Sequence, residues 1–439
     1  MKFINNIPKE YQPIIDKITK VAIANNYTIY AVGGFVRDMI LNRHPKDLDI
    51  MVEGDNAGIK FATLLSEQLN IHPPVIFEKF ATAKLIIDNK EIEFIMPRQE
   101  YYDKNSRNPR TEKATLVQDV LRRDFTVNAL FLRLNDMVLL DLCGKGLQDI
   151  NDEIIRVTDE TASDLIFEQD PLRILRAVRQ SFQLGFTIEK NTYQSMVKKS
   201  NRITIVSPER IRDEINKILL LDKPSKAFYM LDDINLLEII LPELKKIQKI
   251  ENVFEHVMHV VDKIRSVLFL RITALLYETG KIVNIVNYEQ ESVKIAKDIL
   301  IKLKYPTNFI KEVSSFIEDN MLVKEYNSSW TDADVRKFEK QVSENLKNIE
   351  LFSIASTKQY NSSLFDRIKI LEKEKMLAPK EELFDGNELV NILGYPSGKW
   401  VGNAKKYIEE LQFEEPSISK EKAIKKLKFY IEKSKDILL

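Results

Sequence analysis

Apolar and polar positions alternate along this chain with two different periods, and the change between them divides it. The stretch "KEYQPIIDKITKVAIANN" repeats its apolar residues at helical spacing and predicts an opening helix. "YTIYAV" then reads as a strand, and the run Ile50-Met51-Val52 as a second, buried one. A helix is predicted near 56–69. "VIFEKF", "AKLIID" and "EIEFIM" follow as a short meander, and "NALFLRL" with "MVLLDL" as a further hairpin. From about residue 161 the period is 3.6 almost throughout. "VSPERIRDEINKIL" is a signalled helix start, with Ser207 at the cap, Pro208 at the first helical position and Glu209 in the first turn. Pro224, Pro242 and Pro306 punctuate later helices, and "ISKEKAIKKLKFYIEKSKDILL" is a lysine-heavy closing helix. The pattern predicts an α+β chain: a small mixed β-sheet head over 1–160, then an elongated all-helical remainder. That remainder divides into a neck (161–222), a body (223–325) and a tail (326–439).

Composition narrows the class. The 439 residues are 44% apolar and 30% charged, ordinary values for a soluble protein. No apolar run approaches the ~20 residues that span a bilayer, and "MKFINNIPKEYQP" has no signal-peptide core. The single cysteine, Cys143, excludes a disulfide framework and fits a reducing compartment. A cytoplasmic protein without membrane contact is expected. Sixty-six basic side chains balance 66 acidic ones, so a polyanionic partner would be met by local patches. Repeats and low-complexity segments are absent. With 12 glycines in the chain, the paired Gly33-Gly34 stands out.

Those glycines open "GGFVRDMILNRHPKDLDIMVEG", residues 33–54. Asp47 and Asp49 are two apart ahead of an apolar run. In a strand such positions share a face, so both carboxylates project together at one strand end. Magnesium takes hard oxygen ligands, commonly one or two carboxylates completed by substrate phosphates. Phosphoryl-transfer chemistry needs such an ion against the charge of a triphosphate. Glu93, which shares a face with Glu91 in "EIEFIM", is a candidate third carboxylate. The Gly33-Gly34 turn lets backbone N–H groups approach phosphate, and Arg37 adds charge one turn on. Alone, an Asp-x-Asp also suits a solvated strand end or a calcium loop. The glycines and arginine upstream favour nucleotidyl transfer.

"GGFVRD…DLDIMV" resembles the opening motif of the nucleotidyltransferase superfamily in its class II branch of tRNA nucleotidyltransferases and bacterial poly(A) polymerases. Further segments resemble that family in the same order. They are "RRDFTVNAL" (ribose recognition), "DLCGKGLQDI" (the head–neck connection), "FEQDPLRILRAVRQSFQLGF" (base reading) and "SPERIRDEI" (the neck helix). The resemblance implies metal ligation by Asp47 and Asp49, with Glu93 beside them, and triphosphate contacts from Gly33, Gly34 and Arg37. It gives Arg123, Asp124 and Asn128 to the nucleotide, with Asp124 on the ribose 2′-hydroxyl. Asp170 and Arg173 would face the incoming base, and Arg176 and Arg179 would lie near its phosphates or in the helix beneath. At helical spacing those four form one stripe; the alternative for the stripe is an exposed ion-pair ladder. Gln169 stands where the family usually has glutamate.

The same resemblance implies template-independent addition of CCA to tRNA 3′ ends from CTP and ATP, with Mg²⁺ as cofactor. Poly(A) synthesis, or addition of CC alone or A alone, shares the same motifs. Two other classes are a silent RNA-binding protein, which the intact carboxylates oppose, and a metal-dependent phosphohydrolase. "NVFEHVMHVVDKI" with "ALLYETGK" resembles the domain of the latter, but Tyr277-Glu278 replaces its His-Asp and leaves only His256 and His259, so helical scaffold is expected there. The tail "LFDGNELVNILGYPSGKWVGNAKKYIEELQ" weakly resembles that of bacterial relatives. Lys399, Lys405, Lys406 and the seven lysines from Lys420 to Lys435 could meet RNA phosphates or form a solvated face. Arg107 and Arg110 fall in a polar segment expected to be a mobile loop. Nothing in the sequence speaks to oligomeric state.

Overall fold

The opening helix forms as α1 (Gln12–Ala24), with a proline in its first turn and Ile14, Ile15, Ile18, Val21 and Ala22 buried. In this computed structural model, which describes residues 7–101, 110–357, 362–377 and 382–433, two compact units appear, residues 1–245 and 246–439.

The first unit is built on one seven-stranded sheet. Along the chain come β1 (Ile29–Val32), α2 (Gly34–Ile40), β2 (Leu48–Val52), α3 (Ala57–Leu69), β3 (Val75–Phe77), β4 (Thr82–Ile87) and β5 (Lys90–Ile95). After β6 (Arg98–Tyr101), β7 (Arg110–Lys113) and α4 (Leu116–Leu121), the sheet is completed by β8 (Leu130–Arg133) and β9 (Val138–Asp141). Spatial order is β3-β4-β5-β2-β1-β8-β9. Only β2 and β5 run parallel; their register sets Asp49 opposite Glu93. The predicted meander and hairpin are therefore present, and β6 pairs with β7 as a separate two-stranded ribbon. That ribbon corrects the reading of Arg110 as loop: its backbone is paired, opposite Tyr101. Arg107, and the mobility expected around it, lie outside the described residues.

The two faces of the sheet are covered differently. Against one, α3 approaches so closely that a Cβ on Gly58 would stand 2.9 Å from the Ile95 carbonyl carbon. Ile50, Phe94 and Ala83, paired in one row, are buried on this side. On the other face, Tyr30, Val32, Met51 and Phe131 form a buried cluster with Val120 of α4, flanked by Leu116.

Helices take over as expected: α5 (Gly146–Asn151), α6 (Ser163–Gln169), α7 (Leu172–Leu184), α8 (Lys190–Lys199), α9 (Pro208–Leu219) and α10 (Pro224–Asp233). The exception is a two-residue parallel pair, Ile154–Ile155 with Thr187–Ile188. Ser207 and Pro208 hold the predicted positions at the start of α9.

The second unit is helical among the described residues. The helices Leu268–Leu276, Thr307–Glu325 and Leu346–Ser356 meet through edge-on rings: Tyr277 lies 5.2 Å from Phe352, and Phe316 5.5 Å from the same ring. Nearer the C-terminus, Leu389, Trp400, Ile408 and Leu427 form another core, which buries one face of the lysine-rich helix Lys420–Lys433. Among the described residues no helix is long and apolar enough to cross a membrane.

Candidate active site

Asp49 is the second residue of β2, and its neighbours explain why a carboxylate there is uncomfortable. Leu48 and Ile50 turn into the core, leaving Asp49 on the opposite face, opposite Glu93 on β5. Burial, then the charge of Glu93, push the Asp49 carboxyl up to about 6; Asp47 adds to this, and Arg123 and Lys84 oppose it. Asp47 itself precedes the strand, which begins at Leu48, and is exposed. Two aspartates and a glutamate thus crowd like charge onto one patch, with partial relief from cations on either side. That is the donor set a hard divalent cation takes. No three His, Cys, Asp or Glu side chains among the described residues close into a ready metal cage. Coordination would therefore be completed by substrate oxygens or water, as magnesium sites commonly are.

Arginines and glycines border this patch. Gly33 has φ +72, a backbone that favours glycine, and turns the chain from β1 into α2. A Cβ at Gly33 would lie 3.6 Å from Arg123 Nη1, and one at Gly34 3.5 Å from Arg37 Nη2, so both guanidinium groups line the turn. Arg123 lies over the Phe131 ring at 4.9 Å and donates from Nε to Asp119 Oδ2 at 2.9 Å.

Asp119 is fully buried, and Arg122 also donates to it. Burial alone would raise its pKa, but the two arginines and a donated hydrogen bond from the Arg98 backbone N–H (3.2 Å) lower it. The sequence reading missed Asp119. Its signal was an acid on a helix with arginines three and four residues later.

Arg37, Asn128 and Asp124, all buried, and the partly exposed Arg176 are brought together in one network. Arg37 Nη1 donates to Asn128 Oδ1 at 2.6 Å, and Asn128 Nδ2 donates to Asp124 Oδ1 at 3.0 Å and to Gln180 Oε1 at 2.9 Å. Arg176 Nε donates to Asp124 Oδ2 at 2.8 Å. Burial would push the Asp124 carboxyl up, yet Arg176 and the Asn128 amide hold it well below the usual carboxylate range. Gln180 is buried, joins this network from α7, and carried no sequence signal.

The expected stripe of Asp170, Arg173, Arg176 and Arg179 does not form on one helix. Asp170 lies in extended backbone, Pro171 caps, and α7 begins at Leu172. Asp170 is instead paired to Arg210 of α9, whose Nη2 donates to Oδ2 at 2.8 Å. Arg173 is buried and donates to the carbonyls of Arg122 (2.6 Å) and Ile166 (3.1 Å), joining three segments of backbone. Arg179 donates to the buried Glu214 at 2.6 Å. The ladder alternative also fails, because each of these arginines serves different partners: two backbone carbonyls, Asp124 and Glu214. Arg210 falls within the neck motif, and its spacing did not mark it as a partner for Asp170.

Comparison with known proteins follows the same division of the chain. Residues 29–156 match the poly(A) polymerase head domain. Residues 185–248 match a segment described as the probable RNA and SrmB-binding site of polymerase A, and residues 281–427 match domain 2 of tRNA nucleotidyltransferases. The A-adding tRNA nucleotidyltransferase of Geobacter sulfurreducens is 30% identical over 293 residues, covering 63% of this chain and 32% of that protein. The CCA-adding enzyme of Lactobacillus johnsonii is 32% identical over 239 residues, covering 54% of this chain and 56% of that one. The chain thus spans about a third to just over half the length of these relatives. The crystal structure of the Bacillus stearothermophilus CCA-adding enzyme in complex with CTP shares the fold, with a TM-score of 0.70 at 21% identity over 98% of this chain and 99% of that one.

Proposed function

Because the chain belongs to the family of tRNA nucleotidyltransferases and poly(A) polymerases, we propose that it adds CCA to tRNA 3′ ends from CTP and ATP. The observation that carries this is the crowded carboxylate patch of Asp49, Glu93 and Asp47, set between Lys84 and the arginine-lined Gly33-Gly34 turn.

Asp47 and Asp49 would hold the divalent ion, Mg²⁺ in this reading, with Glu93 beside them. When bound, that ion supplies charge neutralisation of the triphosphate and a more acidic attacking 3′-hydroxyl. Gly33 and Gly34 let the triphosphate come close to the chain, while Arg37 and Arg123 offset its charge. Arg37 is already fixed by Asn128, so little ordering is needed when nucleotide arrives. Asp124 is held ionised and acceptor-only, the state that receives a ribose 2′-hydroxyl. Asp170 would take the amino edge of cytosine or adenine. Arg173 could share that edge only by exchanging two backbone carbonyls for the base. Arg176 and Arg179 act from beneath, by holding Asp124 and Glu214.

The test uses the purified protein with tRNA ending before CC, at CC and at CCA, and each labelled nucleoside triphosphate separately. We expect CTP to enter the first, ATP the second and nothing the third, with incorporation abolished in Asp47→Ala and Asp49→Ala. ATP alone entering only the CC-ended tRNA would make this an A-adding enzyme, and long adenylate tracts a poly(A) polymerase. Incorporation surviving in both aspartate variants would remove the carboxylate patch from the chemistry.

A further inference from the structure

The sheet row that carries the carboxylates continues past Glu93. Residues directly opposite one another on neighbouring strands project from the same face, and the register runs Asp49, Glu93, Lys84, Val75. Toward β1 and β8 this face is closed by α4 and by Arg123 over Phe131. Toward β3 it is exposed: Val75 is 61% accessible, and Phe77 and Ile86, each two residues from a member of the row and so on the same side, are 41% and 68% accessible. Three inter-strand steps, about 14 Å, separate Val75 from Asp49. Lys84, paired to Glu91 at 2.6 Å, stands two strands from Asp49 and one from Val75, and keeps part of its side chain in water.

We propose that this shelf seats the unpaired 3′-terminal bases of the RNA being extended, with Phe77 as a stacking surface and Lys84 meeting a phosphate. This rests on the nucleotidyl-transfer reading above. Exposed aromatic area beside a cation is the chemistry that holds single-stranded nucleic acid without reading its sequence. Its position decides the occupant. The glycine turn, Arg37 and Arg123 flank the carboxylates on the β1 side, where the triphosphate is placed, so the attacking hydroxyl arrives across the half of the face that α4 leaves uncovered. The alternative occupant is a second copy of this chain, paired along the β3 edge. A three-residue edge strand offers too few backbone groups for that, and short edges are how sheets avoid such pairing.

The experiment uses a tRNA transcript ending at CC with 2-aminopurine just before its terminal nucleotide, titrated with full-length protein without nucleoside triphosphate. Wild type should quench the fluorescence by stacking. Phe77→Ala should lose most of the quench and bind this RNA about tenfold more weakly, while Phe77→Tyr keeps both. The KM for ATP should be unchanged in Phe77→Ala, showing that the head is intact. Lys84→Gln should lower the salt dependence of RNA binding by about one phosphate contact. Quench and affinity unaltered in Phe77→Ala would overturn the shelf. So would sedimentation showing that wild type self-associates and Phe77→Ala does not, which would make it an interface between copies. A wild type that shows the Phe77-dependent quench but adds no nucleotide defeats the proposed function and leaves the shelf standing.

Discussion

At the scale of single residues, the carboxylate patch is a store of unfavourable charge, and its reversal can be measured. Asp49 faces Glu93 across two parallel strands with its carboxyl pushed up to about 6, so at neutral pH its ionised form costs the fold stability. Asp49→Asn removes that cost. Without divalent metal at neutral pH, the variant should be more stable than wild type by on the order of 1–2 kcal/mol, less than the full pKa displacement implies because the side chain keeps some contact with water. Mg²⁺ should raise the wild-type thermal midpoint and leave that of the variant unmoved. Equal stability without metal would show that Asp49 is not under this repulsion. The two aspartates and their spacing were legible in the sequence, because a two-residue period fixes a shared face. Their crowding was not: Glu93 comes opposite Asp49 only because β2 and β5 run parallel in that register, and pairing between distant strands leaves no local signal. Arg173 shows the same limit. The family resemblance placed it against the incoming base, whereas two carbonyls from segments far apart in sequence hold its guanidinium.

Elements explain why Asp124 matters to the fold as well as to the site. It lies in the segment between α4 and β8, and Arg176 reaches it from α7, so this pair ties the helical part of the first unit to the sheet. The folded-state pKa of Asp124 lies below its unfolded value of about 3.9. The pair's contribution is therefore complete above the unfolded pKa and is lost as pH falls toward the folded one. Asp124→Asn should destabilise the protein at pH 7 by about 1–3 kcal/mol, the Arg176 side of the pair being partly exposed. The difference from wild type should shrink steadily below about pH 5. Denaturant titrations of both proteins at pH 7, 5 and 3.5 check this, and a gap that stays constant with pH would show that the ionised form of Asp124 is not what α7 holds. The opening helix, the meander, the hairpin and the helical remainder were readable from apolar period; α4 and the β6–β7 ribbon were not. The break at Asp170-Pro171 was also written in the sequence, since proline disfavours helix in the residue before it. A single helical stripe through Asp170 overlooked that rule.

At the scale of the whole molecule, the proposed chemistry is confined to the first unit among the described residues. The phosphohydrolase-like reading of "NVFEHVMHVVDKI" and "ALLYETGK" can be weighed against the side chains that meet there. Tyr277 is buried at the end of the helix Leu268–Leu276, and Glu278 beside it is paired to Lys281 Nζ at 2.7 Å. His256 Nε2 lies 4.0 Å from that glutamate, and burial lowers its pKa, as it does for Lys324 nearby. Lys281 is thus paired to the glutamate and Lys324 lies near enough to feel its charge, so cations already fill the electrostatic role a metal ion would take. A divalent ion entering beside His256 would find Glu278 already paired to Lys281, and the nearby Glu289 3.9 Å from Lys324, so the donors there are few and already engaged by cations. The purified protein should therefore hydrolyse neither 2′,3′-cyclic nucleotides nor phosphomonoesters when supplied with Mn²⁺, Co²⁺ or Ni²⁺, at any pH where it is folded. Lys281→Ala should not create the activity, because removing one ammonium leaves the ligand count unchanged. Metal-stimulated hydrolysis that disappears in His256→Ala and persists in Asp49→Ala would place a second, independent centre in residues 246–439.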